Sequence, residues 1–320
     1  MDRRRFLTAL AACAALRARA AEAWPTRPLR IIAGGSGSVT DIRARWLAAR
    51  LAPILGQPVV VENKAGAGGM LTMEAGARSA PDGYSLVIVH QGTVAVNPFI
   101  YKSLSYDPFR DFAPITRLGV GPLVLVTHPA LPAASLAELL ALARSRKAPL
   151  NFATPGVGTP PHVATELMKR ESGIAATHVP YKTGGQAASD LIAGHVDFAI
   201  EGITVMRPHI QAGRVRALAT TGMRRTASLP EVPTLAEAGL PGYHFHGWVG
   251  IAAPAATPRP IVDRAYAAIA QVMETAEARA WFAESGADPG ALPPAEFAAF
   301  MRAEYDRLGP VLRDAGIRAE

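Results

Sequence analysis

Seven short runs rich in β-branched and aliphatic residues, LRIIA, PVVVEN, YSLVIV, LVLVTH, LNFAT, VDFAI and VRALATTG, alternate with helical patterns such as DIRARWLAARLAPIL, SLAELLALARSR, PHVATELMKRES and GGQAASDLIAG. Strands separated by helices can pair only through crossover connections, so this alternation points to parallel α/β sheets. From Pro258 onward the pattern is helical only, and a helical tail after an α/β body packs back on one domain. Two extended stretches, DFAPITRLGVGPLVLVTHP and GYHFHGWVGIAAPAATP, read as crossings between domains. The expected division is residues 24–122 with 247–320 in one lobe and 123–246 in the other, with a cleft between them.

The first 23 residues read as an export signal. Arg3, Arg4 and Arg5 precede the short apolar run FLTALAACAAL, and Ala21, Glu22 and Ala23 offer a cleavage site before Trp24. The order Arg3-Arg4-x-Phe6-Leu7 resembles a twin-arginine signal, while a retained anchor and a lipoprotein modified at Cys13 are the alternatives. Cys13 is the only cysteine, so a cleaved chain has no disulfide, thiol nucleophile or cysteine metal site. The chain's net charge of +7 includes five leader arginines against Asp2 and Glu22, which leaves +4. Basic residues are scattered and aromatics few, which argues against a nucleic-acid partner.

Three loops lie where strands run into helices. The first, AGGSGSVTD, brings Gly34, Gly35, Ser36, Gly37, Ser38 and Thr40, with Asp41 placed to cap the following helix. It fails the dinucleotide fingerprint, which needs a glycine where Thr40 stands, the nucleophile elbow, which needs one at Ser38, and the P-loop, which needs a lysine. The second, after LNFAT, carries Gly156, Gly158 and Thr159, with a helix starting near Pro160 and His162 in its first turn. The third, after YSLVIV, brings Gln91, Gly92 and Thr93. Ligands of open α/β sheets bind beyond the carboxyl ends of the strands, so the three loops point to one site. None of them contributes a lysine or arginine. Amides, hydroxyls and helix N-termini suffice for a carboxylate, whereas a triphosphate would want more charge. His244 and His246 would share a strand face as two metal ligands might, but no third ligand has suitable spacing, so no metal is expected. A Ser/His/Asp triad is open on spacing alone, although nothing presents a nucleophile.

The segments WPTRPLRII, LGQPVVVENKAGAGGM, APDGYSLVI, VNPFIYKSLSYDPFRDFAPIT, THVPYKTGGQAASDLIAGHVDF and RVRALATTGMRRTASLPEVPTLAEAGLPGY occur in an order that resembles the Bug-type substrate-binding proteins of tripartite tricarboxylate transporters. The resemblance covers nearly the whole chain after the leader. It implies a two-lobed, type II-like periplasmic binding protein with C-terminal helices on the first lobe. It further implies a non-catalytic monomeric receptor without cofactor, closing on a small organic carboxylate and delivering it to integral-membrane permease subunits. Carried over, the site comprises the first loop from Gly34 to Asp41, then Gln91, Gly92, Thr93, Thr154, Gly156, Gly158, Thr159, His162, Tyr181, Lys182 and Gly185, and also Glu201, where the family commonly has Asp. The first loop is about one residue shorter than the family's and lacks its aromatic ring. A hydrolase using the same cleft and a receptor feeding a sensor kinase are the alternative functions.

Overall fold

The computed structural model describes residues 24–314, Gly316 and Arg318, so the leader, its arginine pair and Cys13 lie outside the described residues. The first sheet begins with β1 (Leu29–Ala33), parallel to β2 (Val59–Asn63) and to β3 (Ser85–His90), with Ile31 opposite Val61 and Leu86. Between them run α1 (Val39–Leu55) and α2 (Met70–Ala77). A π-helical turn over Gly92–Val96 leads from β3 into the short helix α3 (Asn97–Ile100).

The long strand β4 (Phe112–Thr127) then belongs to two sheets. Its first part pairs antiparallel with β9 (His246–Pro254), from Phe112 opposite Pro254 to Pro122 opposite His246. From Leu123 onward it pairs with β7 (Phe198–Gly202) and, from Val124, with β8 (Arg216–Thr220). Gly119, Gly121 and Pro122 therefore sit where the strand passes from one sheet to the other. The second sheet is completed by β5 (Leu150–Thr154), parallel to β7 and to β6 (Ala176–Pro180). Its helices are α4 (Leu136–Ser145), α5 (Pro160–Ser172), α6 (Gly184–Ile192) and α7 (Ile203–Gln211). The result is the expected two-lobed α/β architecture, but its sheets are mixed rather than parallel because β4 and β9 pair antiparallel, and among β1 to β9 the strand β6 is the one that no run of apolar residues announced. β6 is an outer strand of half-buried and exposed residues, so it lacks the apolar run of a strand covered on both faces.

Four clusters of buried apolar side chains support the two sheets, one of them shared by both. Ile31, Leu47, Leu51 and Ile251 pack with Val262 and Ile269 of α8 (Arg259–Met273) and Phe282 of α9 (Ala276–Glu284). In the other lobe Leu125, Leu139, Phe152, Val163, Phe198 and Ile200 form a second cluster. A two-residue β10 (Asp288–Pro289) pairs with β4, and α10 (Pro294–Asp314) follows. Its Phe297 and Met301 pack with Val87, Val89 and Trp248, while Leu308 and Leu312 join the cluster containing Ala95, Val96 and Ile100. The helical tail thus covers the first sheet and the segment that follows β3. No helix among the described residues is long and apolar enough to cross a membrane.

Candidate functional site

A cavity of about 120 Å³ opens between the two sheets at the crossing strands. Four helices begin on its wall. The N-caps of α1 (Ser38), α5 (Thr159), α6 (Thr183) and α7 (Gly202) all line it. The first amides of a helix lack intrahelical partners and carry the positive end of the helix dipole, so four converging starts favour an anion.

At α1 the sequence folds this way because Ser38 is extended and its Oγ accepts from the amide of Asp41 at 3.3 Å. Ser38 is therefore the cap, and Asp41 holds the loop from below. Its Oδ2 accepts from the Gly37 amide at 3.0 Å, and its Oδ1 accepts from Asn63 Nδ2 at 2.8 Å and pairs with Arg45 Nε at 2.9 Å. Burial pushes this carboxyl up, but Asn63, the Gly37 amide and Arg45 together hold it below its usual value. Gly37 has φ +74°, and a Cβ there would stand 3.3 Å from Gly185 Cα. A Cβ on Gly35 would stand 2.7 Å from Thr183 Cγ2. Glycine is needed at both because the first loop lies against the start of α6 from the opposite lobe.

Of the residues read from the sequence, Gly34, Gly35, Ser38, Thr40, Thr159, Lys182 and Glu201 line the cavity. The others stand behind it. Ser36 and Gly37 shape the first loop, and Gly185 packs against Gly37. In the second loop Thr154 Oγ1 shares a 2.6 Å hydrogen bond with His178 Nε2 and accepts from the Gly156 amide. The Gly158 amide donates to His162 Nδ1, whose ring stacks on His178 at 4.4 Å between centroids. Burial pushes both imidazoles down to about 4, so they are neutral supports at neutral pH. The Tyr181 hydroxyl donates to Asp190 at 2.7 Å.

The third loop does not form a loop site. Gln91 and Thr93 are fully buried at the start of the π-helical turn, with Gln91 Nε2 donating to Glu304 and Thr93 Oγ1 bonded to the His90 backbone. From this segment His90 lines the cavity instead. Its Nδ1 accepts from the Gly92 amide, and desolvation pushes it down to about 4.

The cavity is also not free of cations, as the loops alone suggested. Lys64 and Lys182 stand at the wall, Lys64 paired with Glu62 at 2.9 Å, and Arg43 of α1 reaches it from one turn beyond the loop. Arg43 is 6% exposed, and its guanidinium lies 5.3 Å from the Phe282 ring centroid. Nη1 makes a long 3.4 Å bond to the Gly119 carbonyl, and buried Nε has no partner among the described residues. Desolvation lowers its pKa to about 10, so it stays charged at neutral pH. Glu201, at the end of β7, is 4% exposed, and burial raises it to about 7. Its Oε1 accepts from the Gly202 amide at 2.7 Å. Among the described residues no group of three His, Cys, Asp or Glu is placed to hold a metal ion.

The family model described as tripartite tricarboxylate transporter family receptor matches residues 43–317. The chain belongs to that family. It is similar to BugT of Bordetella pertussis, at 36% identity over 93% of this chain and 92% of the relative. Among solved structures, an R. palustris protein with adipate superposes with a TM-score of 0.89 at 34% identity, covering 92% of this chain and 99% of that one. MatC from Rhodopseudomonas palustris with bound malate superposes with a TM-score of 0.85 at 32% identity, covering 90% and 100%. The two-lobed receptor fold and the Bug-type resemblance read from the sequence therefore hold.

Proposed function

We propose that this chain is a periplasmic receptor that closes on one small organic carboxylate and delivers it to integral-membrane permease subunits, acting as a monomer and without catalysis. The observation that carries the reading is the convergence of four helix N-termini and the buried Arg43 on one cavity between two sheets. The moving bodies are residues 24–122 with 247–320, and residues 123–246, joined by β4 and the return through β9. Gly34, Gly35, Ser38, Thr40, Thr159 and Glu201 contact the ligand, while Asp41, Thr154, Gly156, Gly158 and His162 hold the loops that do. The adipate and malate bound by two similar receptors support a carboxylate as the ligand class. Ser38 Oγ and Thr40 Oγ1 bond to each other at 2.7 Å, and His90 Nδ1 is engaged by the Gly92 amide, which supports reversible binding over chemistry.

A thermal-shift screen of mono-, di- and tricarboxylates tests this. A ligand at a hundredfold excess over its Kd stabilises the folded form by about 2.7 kcal/mol. A protein unmoved by every carboxylate, yet shifted by sugars or simple amines, would refute the proposal.

A further inference from the structure

Arg43 and Glu201 are both more than nine-tenths buried, bear opposite charges and line the same cavity, yet they do not pair with each other. Arg43 has one long bond to a carbonyl and an unpartnered Nε. Glu201 uses Oε1 on the adjacent amide, while Oε2 lies by Gly184, 3.6 Å from where a Cβ on that glycine would stand, with no protein donor among the described residues. A buried charge without a partner is costly, and removing each from water without joining them makes sense where a third body supplies both partners. The two groups come from different lobes, α1 in the first and β7 in the second, so a molecule between them is held only when the lobes are together. The cavity wall they share also carries the apolar side chains of Val39, Pro122, Leu123 and Ile203.

We infer that the cavity takes a zwitterionic chain, an amino-carboxylate whose carboxylate lies on Arg43 beside the α1 N-terminus and whose ammonium group, separated from it by methylenes, lies on Glu201. This rests on the receptor reading above and narrows its ligand class. A dicarboxylate of the same length would satisfy Arg43 but set a second anion against Glu201. A monocarboxylate would leave Glu201 without a donor. The cationic end is what discriminates.

The other ionisable groups on the cavity wall are Lys64, which Glu62 pairs, Lys182, and His90, which is neutral above about 4. Burial places Glu201 at about 7, between His90 at about 4 and Arg43 at about 10, so Glu201 changes protonation between pH 6 and 8.

The test is isothermal titration calorimetry of the full mature chain with two matched sets, butyrate, succinate and 4-aminobutyrate, and hexanoate, adipate and 6-aminohexanoate. At pH 8 the amino acid of at least one set should bind tenfold or more tightly than its dicarboxylate. Its affinity should fall several-fold from pH 8 to pH 6 in the wild-type protein, where no variant has to fold. Glu201→Gln should weaken the amino acid tenfold or more while leaving or improving the dicarboxylate. Tighter binding of the dicarboxylate at pH 8, or an amino-acid affinity indifferent to both pH and Glu201→Gln, would overturn the inference and leave the receptor reading intact. No binding by any of the six, together with a blank carboxylate screen, would overturn both.

Discussion

Replacing Glu201 by Gln should stabilise the ligand-free protein by an amount that grows from pH 4.5 to about 7 and is constant above. The residue is 4% exposed, and its pKa rises from 4.5 to about 7 because burial penalises the carboxylate more than the Gly202 amide relieves it. Between these values the folded chain keeps a proton that the unfolded chain releases. Stability is thus fully present below pH 4.5, falls as pH rises towards 7 and is flat above. The difference corresponds to about 3 kcal/mol at pH 8. Glutamine keeps the shape and the Oε1 acceptor for Gly202 but carries no charge. Glu201→Gln should therefore exceed the wild type by about 3 kcal/mol at pH 8, roughly 5–10 °C in melting temperature for a chain of this size, and match it near pH 4.5. His90, His162 and His178, all pushed down to about 4, act in the opposite sense, because stability is lost as pH falls from 6.5 through 4. They are common to both proteins and cancel in the difference. Urea unfolding of the two proteins in parallel at pH 5, 6, 7 and 8 measures it. A gap between them that does not change with pH would refute the reasoning, since no group other than Glu201 distinguishes the two chains.

Gly35→Val should leave the chain folded but cost at least tenfold in affinity for whichever carboxylate the screen identifies, because the new side chain meets Thr183 Cγ2 and the Lys182 carbonyl and holds the lobes apart; calorimetry and a melting curve separate the two effects. Ser38→Ala should cost about 1 kcal/mol in thermal unfolding through loss of the α1 cap. Asp41→Asn should cost about 1–3 kcal/mol by the same measurement, because the carboxylate accepts from Gly37, Asn63 and Arg45, and an amide NH2 must turn a donor towards one of these donors. Phe152→Ala should cost about 3–5 kcal/mol in urea unfolding, since the ring is fully buried between Phe198 and His178.

The inner strands were legible because they are covered on both faces, so LRIIA, SLVIV and LNFAT stand out as continuous apolar runs between breakers. The two long extended stretches were legible too, as β4 and β9, with glycine in β4 where its pairing passes from one sheet to the other. The Gly-rich loops after β1 and β5 announced helix starts, and the N-caps of those helices line the cavity. The loop after β3 misled for a definable reason. Gln, Gly and Thr after a strand have the composition of a binding loop, but here a π-helical turn carries Gln91 and Thr93 inward, where Glu304 and the His90 backbone satisfy their polar groups. Composition does not reveal which way a turn of irregular pitch faces.

Arg43 shows what was present in the sequence and how it can be extracted. In DIRARWLAARL the arginines at 43, 45 and 50 all resemble the solvated side of an amphipathic helix. Helical spacing sets Arg43 apart from Arg45, for Arg43 stands four residues before Leu47 and eight before Leu51, both of which are 1% exposed, while Arg50, seven residues on, falls near the same stripe and pairs with Glu277. Arg45 falls off that line and is exposed, reaching back to pair with the buried Asp41. A cation in register with the core stripe, near a helix start that already favours anions, has two outcomes open to it. It can find a carboxylate within the fold, or it can wait for one from outside. Among the described residues no ion pair joins Arg43 to a carboxylate, and Glu201, the buried carboxylate on the cavity wall, does not pair with it. The cost of keeping such a charge dry is then set against binding rather than folding, and Arg43→Met should remove carboxylate binding while leaving the melting temperature of the ligand-free protein unchanged or raised. A lowered melting temperature with affinity intact would instead place Arg43 among the packing residues around Phe282.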